Sequence, residues 1–220
     1  MAQCDWDYDR VKENAMQLYY SPTSPYVRKV AVLIEEAGLA DRVERIASSG
    51  TPLAPGSLPL AENPLGKVPV LVTADGALYD SRVICRYLND VAGAGAYPAG
   101  AALWRTLVLE ATADGILDAA LLMVYEGRLR PEELRYQPWI DAQWAKVARA
   151  LDVLEADWKD HLSAAHDGCP NMGHIALGAA LGYVDFRLGA MDWRAGRPAL
   201  ADWAAAFAAR PAMVATVPVG

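Results

Sequence analysis

Asn63-Pro64-Leu65-Gly66-Lys67-Val68-Pro69-Val70-Leu71 is the stretch on which the reading of this chain turns. From Val68 to Thr73 the residues are apolar and β-branched, which predicts a strand, yet a proline stands at its second position. Proline has no N–H to give to a ladder, so this end of the strand lies at an edge or serves some purpose. A cis Val68-Pro69 bond would turn the N–H and C=O of Val68 toward an extended peptide ligand. A trans proline at an edge would not, and the segment alone leaves both readings open.

The neighbouring sequence supplies a frame. After the strand, Ala77–Tyr79 reads as its hairpin partner around Ala74-Asp75-Gly76, and Ser81 caps a helix that runs to about Ala92. Before it, residues 48–66 are rich in Ser, Pro and Gly and predict a loop with at most one helical turn. Val43–Ile46 is a short strand. Ser24 and Pro25 open a helix in which Val27, Val30, Ala31, Leu33 and Ile34 recur at helical spacing, and Gly38 stops it. Met16–Tyr20 is the first strand. The order β-α-β-loop-β-β-α defines an α/β unit over 16–92, preceded by an extension at 1–15. Residues 93–100 carry Gly and Pro without a core pattern and read as a linker. Residues 101–220 form an all-helical domain, with helices expected near 101–126, 137–162, 172–188 and 198–209 and the last one ended by Arg210-Pro211.

Composition narrows the function. A hydrophobic fraction of 54% over 220 residues fills cores and excludes a disordered chain. Twenty basic residues stand against 27 acidic ones, a net charge of −7, which argues against a nucleic-acid surface. No apolar run reaches the roughly 18 residues that span a bilayer, and the polar start MAQCDWDYDR does not read as a secretory signal. Cys4, Cys85 and Cys169 form no CxxC, which fits a reducing cytoplasm and no structural zinc.

Three segments of the first domain carry possible chemistry. In Ser21-Pro22-Thr23-Ser24-Pro25, a hydroxyl at a helix N-cap sits beside free backbone N–H groups and the positive end of the helix dipole, where an anion such as a thiolate is stabilised. The same serine also reads as a cap and nothing more. The second segment is the Val68-Pro69 strand end. In the third, Asp80-Ser81 at a helix start offers a carboxylate for an amine, with a hydroxyl and N–H groups for a carboxylate, the complement of an amino-acid zwitterion. It too reads as a plain capped helix.

Taken together and in this order, the segments resemble the cytosolic glutathione transferase family, in its serine-type, theta-like classes, over about 16–210. The resemblance implies a thioredoxin-like glutathione-binding domain followed by an all-α domain that supplies most of a hydrophobic co-substrate pocket. It implies an enzyme of detoxification that needs no cofactor beyond glutathione as co-substrate, acts as a cytoplasmic homodimer, and engages neither nucleic acid nor membrane. It places Ser24 at the glutathione sulfur as the catalytic residue, ahead of Ser21, Thr23 and the strand-1 tyrosines Tyr19 and Tyr20. It sets Lys67, Val68 and Pro69 along the glutathione backbone, with Val68 pairing to the cysteinyl part. Asp80 and Ser81 hold the γ-glutamyl group, Asp80 standing where a longer acid is commoner. Asp114 approaches the γ-glutamyl amine across the dimer interface, or else is a solvated helix acid.

Alternatives within the resemblance are a glutathione-dependent isomerase or dehalogenase of a small acid, and a binding protein without catalysis. No cysteine stands at the start of the first helix, which argues against the redox classes. One departure concerns the helix near 172. The family's Ser/Thr-x-x-Asp cap is replaced by Asn171-Met172-Gly173-His174, in which His is expected to be the poorer partner. His174 accordingly reads as structural.

Overall fold

A computed structural model describes residues 16–163 and 169–219. The extension at 1–15, with Cys4, lies outside the described residues. The chain divides into two compact units between Ala94 and Gly95. Ala96 is buried and its carbonyl accepts from the Met172 N–H at 2.8 Å, so the end of the 93–100 stretch is built into the helical unit.

The first unit runs β1 (Met16–Tyr20), α1 (Pro25–Glu36), a 3-10 turn (Ala40–Arg42), β2 (Val43–Ala47), β3 (Val70–Thr73), β4 (Gly76–Leu78) and α2 (Ser81–Ala92). The sheet order is β2-β1-β3-β4, with β1 parallel to β2 and β3 antiparallel to both of its neighbours. The parallel pair needs the α1 crossover, whereas the β3–β4 hairpin closes through Ala74 and Asp75. Leu18 and Leu71 pair across the sheet, and both are fully buried, as are Val30, Ile34, Ile84 and Leu88 from the two helices.

Two local expectations are corrected here. Strand β3 begins at Val70 rather than Val68, since Pro69 has no N–H for the ladder. The cap of α2 is Asp80, not Ser81: Asp80 is extended and its Oδ1 accepts from the Arg82 N–H at 3.0 Å, while Ser81 is already helical.

The loop at 48–66 holds no regular helix, and the one helical turn expected in it is closed by the Asn63 N–H donating to Pro59 O at 2.8 Å. Its first part closes on itself: the Ser57 N–H donates to Ser49 O at 2.9 Å, and the Ser49 N–H donates to Ser57 Oγ at 3.0 Å. The neck is so tight that a Cβ on Gly50 would lie 2.2 Å from Pro55 O, and one on Gly56 would lie 2.4 Å from Ser49 O. Gly56 also has φ +56°, which glycine adopts without a steric penalty.

The second unit consists of α3 (Ala101–Leu129), a 3-10 turn (Glu132–Leu134), α4 (Gln137–Asp157), α5 (Lys159–Ser163), α6 (Met172–Leu188), α7 (Pro198–Ala208) and α8 (Pro211–Ala215). The helix expected over 137–162 breaks at Trp158, whose ring takes the Arg105 guanidinium on one side and the His161 edge on another. Pro211 ends α7 as expected but also occupies the first position of α8, where its missing N–H costs nothing.

Helix α6 is the core of the unit, buried without interruption from Met172 to Leu181. Its reciprocal cap is complete. Asn171 Oδ1 accepts from the His174 N–H at 3.2 Å, and His174 Nδ1 accepts from the Asn171 N–H at 3.3 Å. The imidazole also lies 3.1 Å from His161 O through Nε2, so the neutral tautomer with its proton on Nε2 serves both contacts. His174 is thus a full partner in the box rather than a weak one.

Gly173 marks the close approach of α6 to α3. A Cβ there would lie 2.8 Å from Leu109 Cβ and 2.9 Å from the Thr106 carbonyl oxygen. Ala would favour the helix by up to about 1 kcal/mol if space allowed. Backbone cannot give way cheaply, so overpacking decides the sign. Gly173→Ala is expected to destabilise the chain by about 1–3 kcal/mol in urea unfolding, and a midpoint equal to or above wild type would refute this packing.

Candidate active site

Strand register brings the three candidate segments to one edge of the sheet. Tyr19 lies opposite Val70, and Leu71 lies opposite Leu78. The end of β1, the start of β3 and the end of β4 therefore share an edge. From that edge leave Ser21–Ser24, Val68-Pro69 and Tyr79–Ser81. Segments more than 40 residues apart in sequence meet because β3 runs back along β1, and β4 back along β3.

Ser24 is the N-cap of α1. It is extended, at φ −82° and ψ 122°, and its Oγ accepts from the Val27 N–H at 3.3 Å. Its own N–H donates to Ser21 O at 3.1 Å, which fixes the turn that delivers it. The cap bond uses the oxygen of the hydroxyl and not its proton. Among the described residues that proton has no acceptor. Ser21 and Thr23, by contrast, place their hydroxyl oxygens 3.3 Å from each other. Arg28, one turn into α1, is a buried cation whose guanidinium is pulled below its ordinary value by desolvation.

The Val68-Pro69 bond is cis, and so is Tyr79-Asp80. Val68 is half-buried, and among the described residues neither its N–H nor its C=O has a hydrogen-bond partner. Val68 lies just before the interior strand β3, and an N–H and C=O left unpaired beyond a strand's end are what an extended peptide pairs with. Lys67 is exposed beside it.

Asp80 is exposed and Ser81 is 2% exposed. The Asp80 carboxylate spends Oδ1 on the Arg82 N–H, leaving its second oxygen for a cation. In the helical unit Asp114 is 2% exposed, so it is not a solvated helix acid. Met123 is buried, whereas Tyr125 is only half-buried.

One residue of this edge was not singled out by sequence. Asn63 is 2% exposed and makes four hydrogen bonds within its loop. Its N–H donates to Pro59 O at 2.8 Å, and its C=O accepts from the Gly66 N–H at 3.0 Å. Its Oδ1 accepts from the Leu65 N–H at 3.0 Å, and its Nδ2 donates to Lys67 O at 2.9 Å. Asn-Pro followed by Gly is the available turn signal.

Comparison with known proteins settles the family. A model of the glutathione S-transferase N-terminal domain matches residues 23–91, and one of the C-terminal domain matches residues 137–206. The chain belongs to the glutathione S-transferase family. A glutathione transferase family member from Pseudomonas fluorescens Pf-5, solved with bound glutathione, superposes with a TM-score of 0.87 at 42% identity, over 94% of this chain and all of that one. The uncharacterized GST-like protein YibF of Escherichia coli (strain K12) is 36% identical over 192 residues, 84% of this chain and 90% of its own. Glutathione S-transferase 3 of Zea mays is 31% identical over 216 residues, 92% and 93% of the two chains. The two-part architecture of this glutathione S-transferase family member, thioredoxin-like then helical, is therefore the fold its sequence implied. Among its described residues no helix is long and apolar enough to cross a membrane, and no group of three or more His, Cys, Asp or Glu is placed to hold a metal ion.

Proposed function

We propose that this chain is a serine-type glutathione transferase in which Ser24 donates a hydrogen bond to the glutathione sulfur and holds it as a thiolate for attack on a hydrophobic electrophile. The observation that carries the reading is the Ser24 hydroxyl: its oxygen is anchored by the Val27 N–H while its proton is left to give, at the positive end of α1. A cysteine-like thiol has a free pKa near 8.5 and is only a few per cent ionised at pH 7. A hydroxyl donor and the helix N-terminus favour the charged form, and lowering the pKa by about two units, roughly 2.7 kcal/mol, makes thiolate the dominant species. The sulfur lone pair then forms the new C–S bond, and the leaving group departs with its electron pair. The thiol proton has already gone to solvent. Glutathione carries the reacting atom itself, so the reading calls for no resident cofactor or metal.

In this reading Val68 pairs with the cysteinyl backbone of glutathione, with Lys67 and Pro69 bordering it. Asp80 and Ser81 hold the γ-glutamyl amine and carboxylate. The bound glutathione in the Pseudomonas relative supports glutathione as the ligand here. Three cysteines with no CxxC among them fit a reducing compartment, the cytoplasm. The test is a panel of electrophiles (aryl halides, epoxides, enones) incubated with the purified chain and glutathione, following thiol loss. Conjugation above the uncatalysed rate with at least one class is expected. Retention on a glutathione column without turnover of any class would leave a binding protein instead.

We also propose a homodimer. Trp104, Val108, Ala111, Gly115, Asp118 and Leu122 recur along one exposed side of α3, apolar but for the one carboxylate, with Trp104 69% and Val108 54% exposed. A second copy covering this stripe would bury about 1,200 Å² or more in total. Sedimentation at micromolar concentration is expected to give twice the 23.7 kDa chain mass, and Val108→Asp to shift the species toward monomer. A monomeric wild type would overturn the assignment.

A further inference from the structure

The buried Asn63 joins two parts of its loop that serve different ends. The bond from the Leu65 N–H to Oδ1 closes a local turn, and the bond from Nδ2 to Lys67 O reaches past that turn to the next peptide. The Lys67 carbonyl belongs to the same planar unit as the Val68 N–H. In a trans peptide the C=O and N–H point in opposite directions. Holding the Lys67 oxygen on the inner side of the loop therefore aims the Val68 N–H away from it. That N–H is the donor with no partner among the described residues.

Among the described residues nothing else grips the Lys67 carbonyl, and the Lys67 side chain is exposed. Orientation of the Lys67–Val68 plane thus falls to one buried side-chain amide.

We propose that Asn63 is a positioning residue for glutathione: through its hydrogen bond to Lys67 O it presets the Val68 N–H for the cysteinyl backbone of the ligand. The inference rests on the proposed glutathione site and adds to it a residue that does not touch the ligand. It distinguishes the two halves of the amide. The Oδ1 half shapes the turn and bears on stability, whereas the Nδ2 half bears on binding.

The experiment compares wild type with Asn63→Ala and Asn63→Asp. Each is followed for glutathione affinity by calorimetry, for KM and kcat toward a reactive electrophile, and for urea stability. Asn63→Asp keeps the acceptor for the Leu65 N–H but sets a carboxylate oxygen against the Lys67 oxygen. It is expected to weaken glutathione binding roughly tenfold or more, at least as much as Asn63→Ala. In both variants kcat at saturating glutathione is expected to stay within about twofold of wild type, because Ser24 is untouched. A merely structural role would lower stability and leave the affinity of the folded protein where it was. Equal affinity in both variants and wild type overturns the inference alone. A wild type that does not bind glutathione overturns the functional reading and this inference together.

A measurement on the wild-type chain stands beside the variants in case they fold poorly. On addition of glutathione the Val68 amide proton is expected to move downfield in NMR spectra, while the Asn63 side-chain amide protons keep their shifts. An Asn63 amide that moves along with Val68 would mean that the ligand sets the loop, and that result also overturns the proposal.

Discussion

Ser24→Ala is expected to lower the glutathione conjugation rate roughly 10- to 150-fold, the range that follows from losing one hydrogen bond to a charged sulfur. The loss should appear in kcat and in the thiol pKa of the bound glutathione, which should return toward 8.5. Affinity for glutathione should change far less, because in the proposed mode the peptide is held by Val68, Asp80 and Ser81. Removing the cap bond to the Val27 N–H will also cost about 1 kcal/mol of stability, so the rate is to be measured well below the unfolding transition. Ser24→Cys separates the chemistry from the cap. It sets a thiol at a helix N-terminus, where its pKa falls. Conjugation should drop, and a new reaction should appear with oxidised glutathione. The introduced thiolate attacks the disulfide, a mixed disulfide forms on the protein, and one glutathione leaves as thiolate. Full conjugating activity in Ser24→Ala would reduce Ser24 to a cap and turn attention to Ser21, Thr23 or the strand-1 tyrosines.

The γ-glutamyl end of the site should be the second most sensitive place. Asp80→Ala and Ser81→Ala are each expected to raise the Michaelis constant for glutathione about tenfold or more, since a charge-assisted hydrogen bond contributes roughly 1.5–3 kcal/mol. The structure adds a complication that sequence did not show. Asp80 is itself the cap of α2, so Asp80→Ala removes a structural bond as well as a charge. Asp80→Asn resolves the two. An amide oxygen still accepts from the Arg82 N–H, so stability should hold, while the missing charge should raise the Michaelis constant nearly as much as Ala does. Glutathione binding in Asp80→Asn and Ser81→Ala indistinguishable from wild type would remove this pair from the site.

Much of this was legible in the chain because short-range chemistry wrote it there. Ser24-Pro25 states a helix start with both of its local signals, and the structure has that start at the same residue. Val68-Pro69 announces a strand end that cannot ladder. Other features depend on partners far away. Asp80 and Ser81 are both good caps, and the choice between them is made where β4 ends at Leu78 and how the chain turns after it. Trp158 breaks α4 from α5 with no Pro or Gly nearby, in a setting where Arg105, distant in sequence, lies on its ring. The cap at Asn171 was read as weak because histidine was weighed as a side chain. The fold uses it as a lone pair on Nδ1, held in place by a second contact to His161. Asn63 opens the deciding stretch, but its role is not legible there, because what it binds is backbone, and backbone carries no letter code.

The self-closed neck at Ser49 and Ser57 has a practical meaning for anyone wishing to alter this protein. The chain enters and leaves the excursion at nearly one point, and the strand that follows takes its register from β1 rather than from the excursion. Its tip, with Leu53 74% exposed, lies beyond the tied neck. Lengthening a loop whose ends are already tied adds little closure entropy, about 0.6 kcal/mol for each doubling. A fluorophore, an affinity handle or a small inserted domain placed between Gly50 and Gly56 would ride on the neck and leave the recognition edge where it is.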